Sequence, residues 1–279
     1  MRFTVATWNL KTTGGSKHAQ VPLPSARVEL LRTVLARKPA VIAVQELTPG
    51  YAAALTGVHH SLTLRPPGPF DGGNRVLGVG LLVSEYVQIE GLRLIDRAPF
   101  PERTLAADVT IGGQSIHIVA FHSLTGVDYG KAKAAQFSAI VEHLHAVHGH
   151  VVLMGDANEP QVDARDLANT KIWHGNGSGA ELLFGPSPAH RLRDAWRVHL
   201  GKDIAALPDE GPLALSYRTG KTARRYDHIF VPHLWQVLEM TYDYDSALAA
   251  GSDHALLSAT VDTTPSADVL LANPACPSG

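Results

Sequence analysis

One cysteine in 279 residues, Cys276, leaves nothing to pair with and no thiolate set for zinc, so neither a disulfide framework nor a zinc ribbon organises this chain. Long apolar runs are missing as well. No segment approaches the ~20 residues a spanning helix requires, and membrane insertion is not expected. Charge of one sign is not in excess: 24 Lys and Arg against 26 Asp and Glu leave a formal −2. No whole-molecule field therefore attracts a polyanion, and such a partner would need a local basic cluster or a metal. The opening "MRFTVATWNL" has neither an apolar signal core nor a small-residue cleavage site, so the expected location is cytoplasmic. H-E-x-x-H and G-x-S-x-G are both absent, which removes zincin and serine-hydrolase readings.

What is present is enough apolar sequence, 45%, to bury a large core in one domain. "RFTVATWN" (2–9) alternates as a strand, with Phe3 and Val5 on one face. A helix is expected from Ser25, its N-cap, with Val28, Leu31 and Leu35 at helical spacing. "AVIAVQE" (40–46) reads as a buried strand and "GYAAALTG" as a short helix closed by Gly57. Four more strands are expected at 76–84, 86–95, 104–112 and 114–122, the last two joined as a hairpin through Gly112-Gly113. The clearest helix covers 129–148, where Phe137, Ile140, Val141 and Leu144 form an apolar stripe. "HVVLM" (150–154), "RYDHIFVP" (225–232) and "HALLSATV" (254–261) are further strands. Residues 161–220 are polar and rich in Gly and Pro and read as long surface loops, with short helical hints near 164–173 and 190–197. Residues 1–262 are expected to form a single domain and 263–279 a tail, with two packed sheets flanked by helices.

Polar residues mark the ends of separate strands: Asn9, Gln45-Glu46, His122, Asp156 with Asn158, Asp227, and Ser252-Asp253-His254. Singly, each is ordinary turn chemistry, since Asn, Asp and Gly are what turns are made of. Together, carboxylates, amides and two histidines at several strand ends are what a hard-cation hydrolytic site needs.

"TWNLK", "VQE", "FHS", "GDANEP", "RRYDHIFV" and "GSDHALL", in that order over residues 7 to 257, resemble the endonuclease/exonuclease/phosphatase superfamily, whose fold is that of pancreatic deoxyribonuclease. The resemblance implies a four-layer α/β/β/α sandwich, with two mainly antiparallel sheets face to face and helices outside. It also implies divalent-metal phosphoester hydrolysis with Mg²⁺, or Mn²⁺ in its place. By the same resemblance Glu46 is the principal metal ligand, Asn9 supports it through its amide oxygen, and Asp253 completes the metal site. Asp227 and His254 resemble the family's carboxylate–imidazole dyad. Asp156 orients or deprotonates the attacking water, and the motif leaves open whether it or His254 is the base. Asn158 and His122 face the phosphoryl oxygens, with His122 alternatively protonating the leaving group. Arg103 and Lys11 match substrate-phosphate positions more weakly, and each reads equally as a solvated charge. Gln45 is read as structural.

The run Arg218, Lys221, Arg224, Arg225 is either a phosphate cradle or a solvated loop. "TGKT" (219–222) is no P-loop, because Leu215 stands where the first glycine belongs and a strand follows. The four histidines of "EHLHAVHGH" close the long helix, where its dipole favours cations, and a metal site is the lesser alternative. Trp8 reads as core. The leading expectation is a nuclease, hydrolysing a phosphodiester of DNA or RNA by in-line attack of water, with no obligate protein partner. The alternatives are a phosphatase or phosphodiesterase for a small metabolite, nucleotide or phospholipid headgroup, and a non-catalytic binding module.

Overall fold

The computed structural model describes residues 1–12, 21–56, 77–125, 131–173 and 177–264. Gly57 and most of the 263–279 tail lie outside them. One sheet has the order β12 (Gln236–Asp243), β13 (Leu256–Asp262), β1 (Arg2–Asn9), β2 (Val41–Leu47), β3 (Gly78–Val83). The other runs β4 (Gln88–Leu94), β5 (Thr104–Ile111), β6 (Gln114–His122), β7 (His150–Asp156), β11 (Asp227–Pro232), β8 (Leu192–Asp194). Among the described residues, β1–β2 and β6–β7 alone pair in parallel; the remaining pairs are antiparallel. A small hairpin, β9 (Tyr217–Thr219) and β10 (Thr222–Arg224), turns through "TGKT".

Alternation along each strand builds three apolar layers. Phe3 and Val5 point between the sheets with Val41 and Leu81, and meet Leu105, Ile116, Met154 and Ile229 of the opposite sheet. Ala6 and Trp8 point outward with Ile42 and Val44 against Leu31 and Leu55, which lie on α1 (Ser25–Ala36) and α2 (Pro49–Thr56). Across the molecule Val119, Phe121 and Leu153 meet Phe137, Ile140 and Leu144 of α3 (Lys131–Ala146) and Leu183 and Phe184 of α4 (Gly177–Phe184). The result is helix, sheet, sheet, helix: the four-layer sandwich. Among the described residues no helix is long and apolar enough to cross a membrane.

Three expectations are corrected. Pro24, not Ser25, stands at the N-cap of α1 and no side chain caps it; Ser25 is already the first helical residue, because the Pro24 carbonyl accepts the first helical N–H groups, those of Arg27 and Val28. Residues 161–220 are not loops alone: the 3₁₀ turn Leu167–Asn169 falls within the helical hint at 164–173 and α5 (Ala195–Leu200) overlaps the one at 190–197, while α4, β8 and a second 3₁₀ turn, Gly201–Ala206, were not expected. Elements of three to eight residues are too short for a period to register, and α4 opens on a loop-like Gly-Ser-Gly. The third omission is β12, followed by α6 (Tyr244–Ala249): "QVLEMTYD" forms an edge strand whose residues are mostly only partly covered, so its alternation is shallow.

The topology sets one rim. The parallel pair β1–β2 ends there at Asn9 and Glu46, and antiparallel β13 begins there just after His254. In the second sheet His122 is in register with Asp156, and Asp156 with Asp227. Gly155 makes this tight crossing possible, because a Cβ there would overlap the carbonyl of Phe121 on the neighbouring strand.

Candidate active site

Asp156 stands at the centre. One carboxylate oxygen accepts the Asn9 amide at 2.9 Å and lies 3.6 Å from His122 Nε2 and 3.7 Å from His254 Nε2. The other accepts the backbone N–H of Asn158 at 2.8 Å, and the Asn158 amide lies 3.4 Å from the carboxylate. Burial raises its pKa to about 6, against the opposing pull of the His254 imidazole and the Asn9 and Asn158 hydrogen bonds.

His254 is gripped by carboxylates at both nitrogens. Nδ1 donates to Asp227 at 2.9 Å, while Nε2 faces Asp156. Burial opposes its charged form, but Asp227 and Asp156 outweigh it and lift the pKa to about 10. His122 goes the other way: burial, Arg103, His254 and Lys133 hold it well below an ordinary imidazole, hence neutral. The Asp227 oxygen not bound to His254 is buried without a hydrogen-bond partner. Asp156, Asp227 and His254 place ligand-type atoms within 4.8 Å of one another.

Glu46 lies beside this group, 3.4 Å from the Asn9 amide nitrogen, and takes the backbone N–H of Thr12. The Asn9 amide oxygen accepts the Lys11 N–H at 2.9 Å, which leaves it one lone pair. Asp253 is held 3.0 Å from Lys11 Nζ. Arg103 ends a 3₁₀ turn (Pro101–Arg103) before β5 and is close enough to act on His122. Among the described residues, four non-glycine residues take left-handed φ: Lys11, Lys38, Glu46 and Asn158. Three of these are at the rim, so backbone strain is concentrated where the polar side chains converge.

Arg225 is not brought to the group. It is buried, its guanidinium bound to Asp163 at 2.5 and 3.0 Å and to Asp194 at 2.7 Å, and it is no free phosphate contact. Burial disfavours the Asp194 carboxylate, yet Arg225 holds its pKa well below the usual range. The reason it deceived is local: Arg224 and Arg225 are adjacent in an extended run, so they face opposite sides.

Lys133 was missed. Fully buried, it lies 3.2 Å from Glu159 and donates to the Asn158 carbonyl at 2.8 Å, fixing the left-handed turn. The signal was there, since Lys133 sits four residues before Phe137 on the apolar face of α3, an expensive place for an unpaired charge. Ser252, which the sequence sets beside Asp253-His254, donates its hydroxyl to the Asn9 carbonyl at 2.7 Å and ties the segment leading into β13 to β1. Trp8 is core, its indole N–H bonded to the His254 carbonyl at 3.1 Å.

Aromatic surfaces flank the group. The Tyr217 ring lies 4.7 Å from that of His254 and stacks on Tyr226 at 5.4 Å. Trp173 bonds the Tyr226 hydroxyl, and the Arg224 guanidinium lies over its face at 5.5 Å. Beyond them opens a cavity of about 790 Å³, with Lys171, Lys221 and Arg224 among its lining residues, and Asp209 and Glu210 opposing them.

The profile of the endonuclease/exonuclease/phosphatase family matches residues 6–254, from β1 to the imidazole. The chain belongs to that family. No curated protein matches it. Among solved structures this family member is similar to D. rerio TDP2 complexed with a single-strand DNA product: TM-score 0.64, 19% identity, 94% of this chain and 99% of that one. It is also similar to the human nocturnin catalytic domain with a bound sulfate anion: TM-score 0.64, 16% identity, 94% of both chains. An endonuclease/exonuclease/phosphatase family protein from Bacteroides thetaiotaomicron matches at TM-score 0.59 and 14% identity, over 94% and 98%. At these identities the likeness establishes a shared fold.

Proposed function

We propose that this protein is a divalent-metal-dependent phosphodiester hydrolase that acts on nucleic acid, built in one domain over residues 1–262. The observation that carries it is the pair of carboxylates, Asp227 and Asp156, one against each nitrogen of the His254 ring. Such a group can hold a proton-bearing imidazole and a desolvated carboxylate on the same phosphate.

In this reading Asp156 takes the proton of the attacking water. The Asn9 amide and Asn158 N–H orient it, and its raised pKa brings it near neutral pH. His254, with both N–H groups directed at carboxylates, serves as the cation that meets charge building on the phosphoryl oxygens. The base role thus falls to Asp156 rather than His254. Asn158 and Arg103 add donors to the same face. His122, neutral and buried, donates to a phosphoryl oxygen or the leaving oxygen.

The donor set fits a hard cation. Glu46 and Asp253 offer carboxylate oxygens, and the partnerless oxygen of Asp227 shows an acceptor without its donor. Glu46 and Asp253 would hold Mg²⁺ or Mn²⁺, with Asn9 orienting Glu46 through its amide nitrogen. When bound, the ion supplies Lewis-acid polarisation of the phosphoryl oxygen.

Nucleic acid is favoured over a small phosphate ester by the surroundings. Tyr217 lies against the imidazole, backed by buried Tyr226 and followed by Trp173, and the cations beyond them suit a strand of bases and phosphates. The single-strand DNA product carried by the TDP2 structure supports the same substrate class.

A panel of single-stranded DNA, plasmid, RNA, nucleotides and phospholipid with Mg²⁺, repeated in chelator, tests this. Cleavage of a polynucleotide that stops in chelator is expected. Activity that persists in chelator overturns the metal, and cleavage confined to small molecules overturns the substrate class.

A further inference from the structure

The outer face of the second sheet carries a group remote in role from the rim. Asp108 on β5 and His117 on β6 are directly paired across the strands, and the carboxylate takes His117 Nδ1 at 2.6 Å. α3 lays His143 over them, with the two Nε2 atoms 2.9 Å apart. His143 belongs to the histidine run that closes α3, which the hydrolytic reading leaves unused.

From this geometry we propose a second metal site, for a borderline cation of the Zn²⁺ class, with His117 Nε2 and His143 Nε2 as its protein ligands and water completing the shell. The carboxylate is the deciding feature. Donation of Nδ1–H to Asp108 leaves Nε2 of His117 as a bare lone pair, the arrangement that orients and strengthens metal-binding histidines. His143 currently fills that lone pair with its own Nε2–H. On uptake of the ion this proton moves to the free Nδ1 of the same ring through solvent, so charge and protons balance with no other reactant.

Distances suit the exchange. Two nitrogens on a tetrahedral zinc at ~2.0–2.1 Å stand about 3.3 Å apart, so the pair needs only a few tenths of an ångström of opening. The ring centroids are 5.1 Å apart and the rings are tilted by 36°. His143 is only partly buried on α3, while His117 is buried. The charges that face the pair are Asp108 and Arg93, and Arg93 is itself bound to Asp108 at 3.1 Å, so they offset one another. Imidazole-only ligation selects zinc, copper or nickel over the oxygen-seeking Mg²⁺ of the rim.

The test is calorimetric titration of the full, chelator-stripped protein with Zn²⁺ in buffer already saturated with Mg²⁺. One binding event present in the wild type and absent in His143→Ala is expected, with any event at other sites retained in both. Asp108→Asn should weaken that event by about 10–100-fold, the usual effect of removing an orienting carboxylate. His143→Gln is the check on folding, since it keeps a polar side chain at the helix surface. If wild type and both His143 variants bind the same number of ions with the same affinity, the site does not exist. An affinity unchanged in Asp108→Asn overturns the orienting role on which the ligand assignment rests.

Discussion

Asp156 and Asn158 are two residues apart, yet they contribute differently, and substitution separates them. Asp156→Asn keeps an acceptor for the Asn158 N–H but sets its own amide N–H against the Asn9 amide, so it should fold with a modest loss of stability. It should lower kcat by ~10²–10⁴-fold, the range for removing a general base. His254→Ala belongs to the same range, and a near-wild-type kcat for either variant removes that residue from the reaction. Asn158 carries a backbone role as well, at φ 47 with its carbonyl on Lys133. Asn158→Ala forces a Cβ residue to hold a left-handed turn without the amide contacts, which costs roughly 1–2 kcal/mol. Asn158→Gly relieves that strain. Denaturant midpoints should therefore drop for alanine and recover for glycine, while kcat stays low in both. Equal midpoints for the two would mean that the strain is not felt.

At the scale of elements, two close fits hold the rim together. Gly155 lets β7 pass the carbonyl of Phe121, and Gly155→Ala has to push β6 and β7 apart at the register of His122 and Asp156. Loss of soluble folded protein, or a stability loss of several kcal/mol, is expected, because the obstacle is backbone and cannot rotate away. Arg225 ties the strand that carries Asp227 to Asp163 and Asp194. Removing one partner of a buried pair leaves uncompensated charge, so Arg225→Gln should cost about 3–5 kcal/mol in urea unfolding. The sequence made much of this legible. β1, β2, β6, β7 and α3 announce themselves because they are buried on both faces or carry a full apolar stripe. The rim residues are legible because each ends such a strand. Where sequence patterning failed, burial was decided by partners distant in the chain: Arg225 looks like a surface cation until Asp163 and Asp194 close on it, 62 and 31 residues away. Lys133 is paired 26 residues on, by Glu159. Short α4, α5 and β8 owe their form to the sheet they pack on, and no periodicity of three to eight residues reveals that.

The whole molecule should register the rim in its stability against pH. The folded-state pKa of His254 is raised from 6.5 to about 10, so the imidazolium stabilises the fold fully below 6.5 and loses that contribution as pH climbs toward 10. Asp156 completes its own titration lower, near 6, and the lowered histidines His122, His117, His143 and His190 are neutral before the climb begins. Among the groups with resolved shifts, the buried tyrosines Tyr226 and Tyr242 are moved above 10, beyond the window. Lys133 opposes the trend, since burial lowers its pKa and its loss of charge relieves the fold. His254→Gln removes one slope and leaves the other, so the difference between the two proteins isolates the dyad. In chelator, the Tm of the wild type should fall by several degrees more than that of His254→Gln between pH 7 and about 10, at roughly 2–4 °C per kcal/mol for a chain of this size. Parallel melting curves across that range would mean that Asp227 and Asp156 do not hold a proton on His254, and the assignment of Asp156 as the base would lose its electrostatic partner.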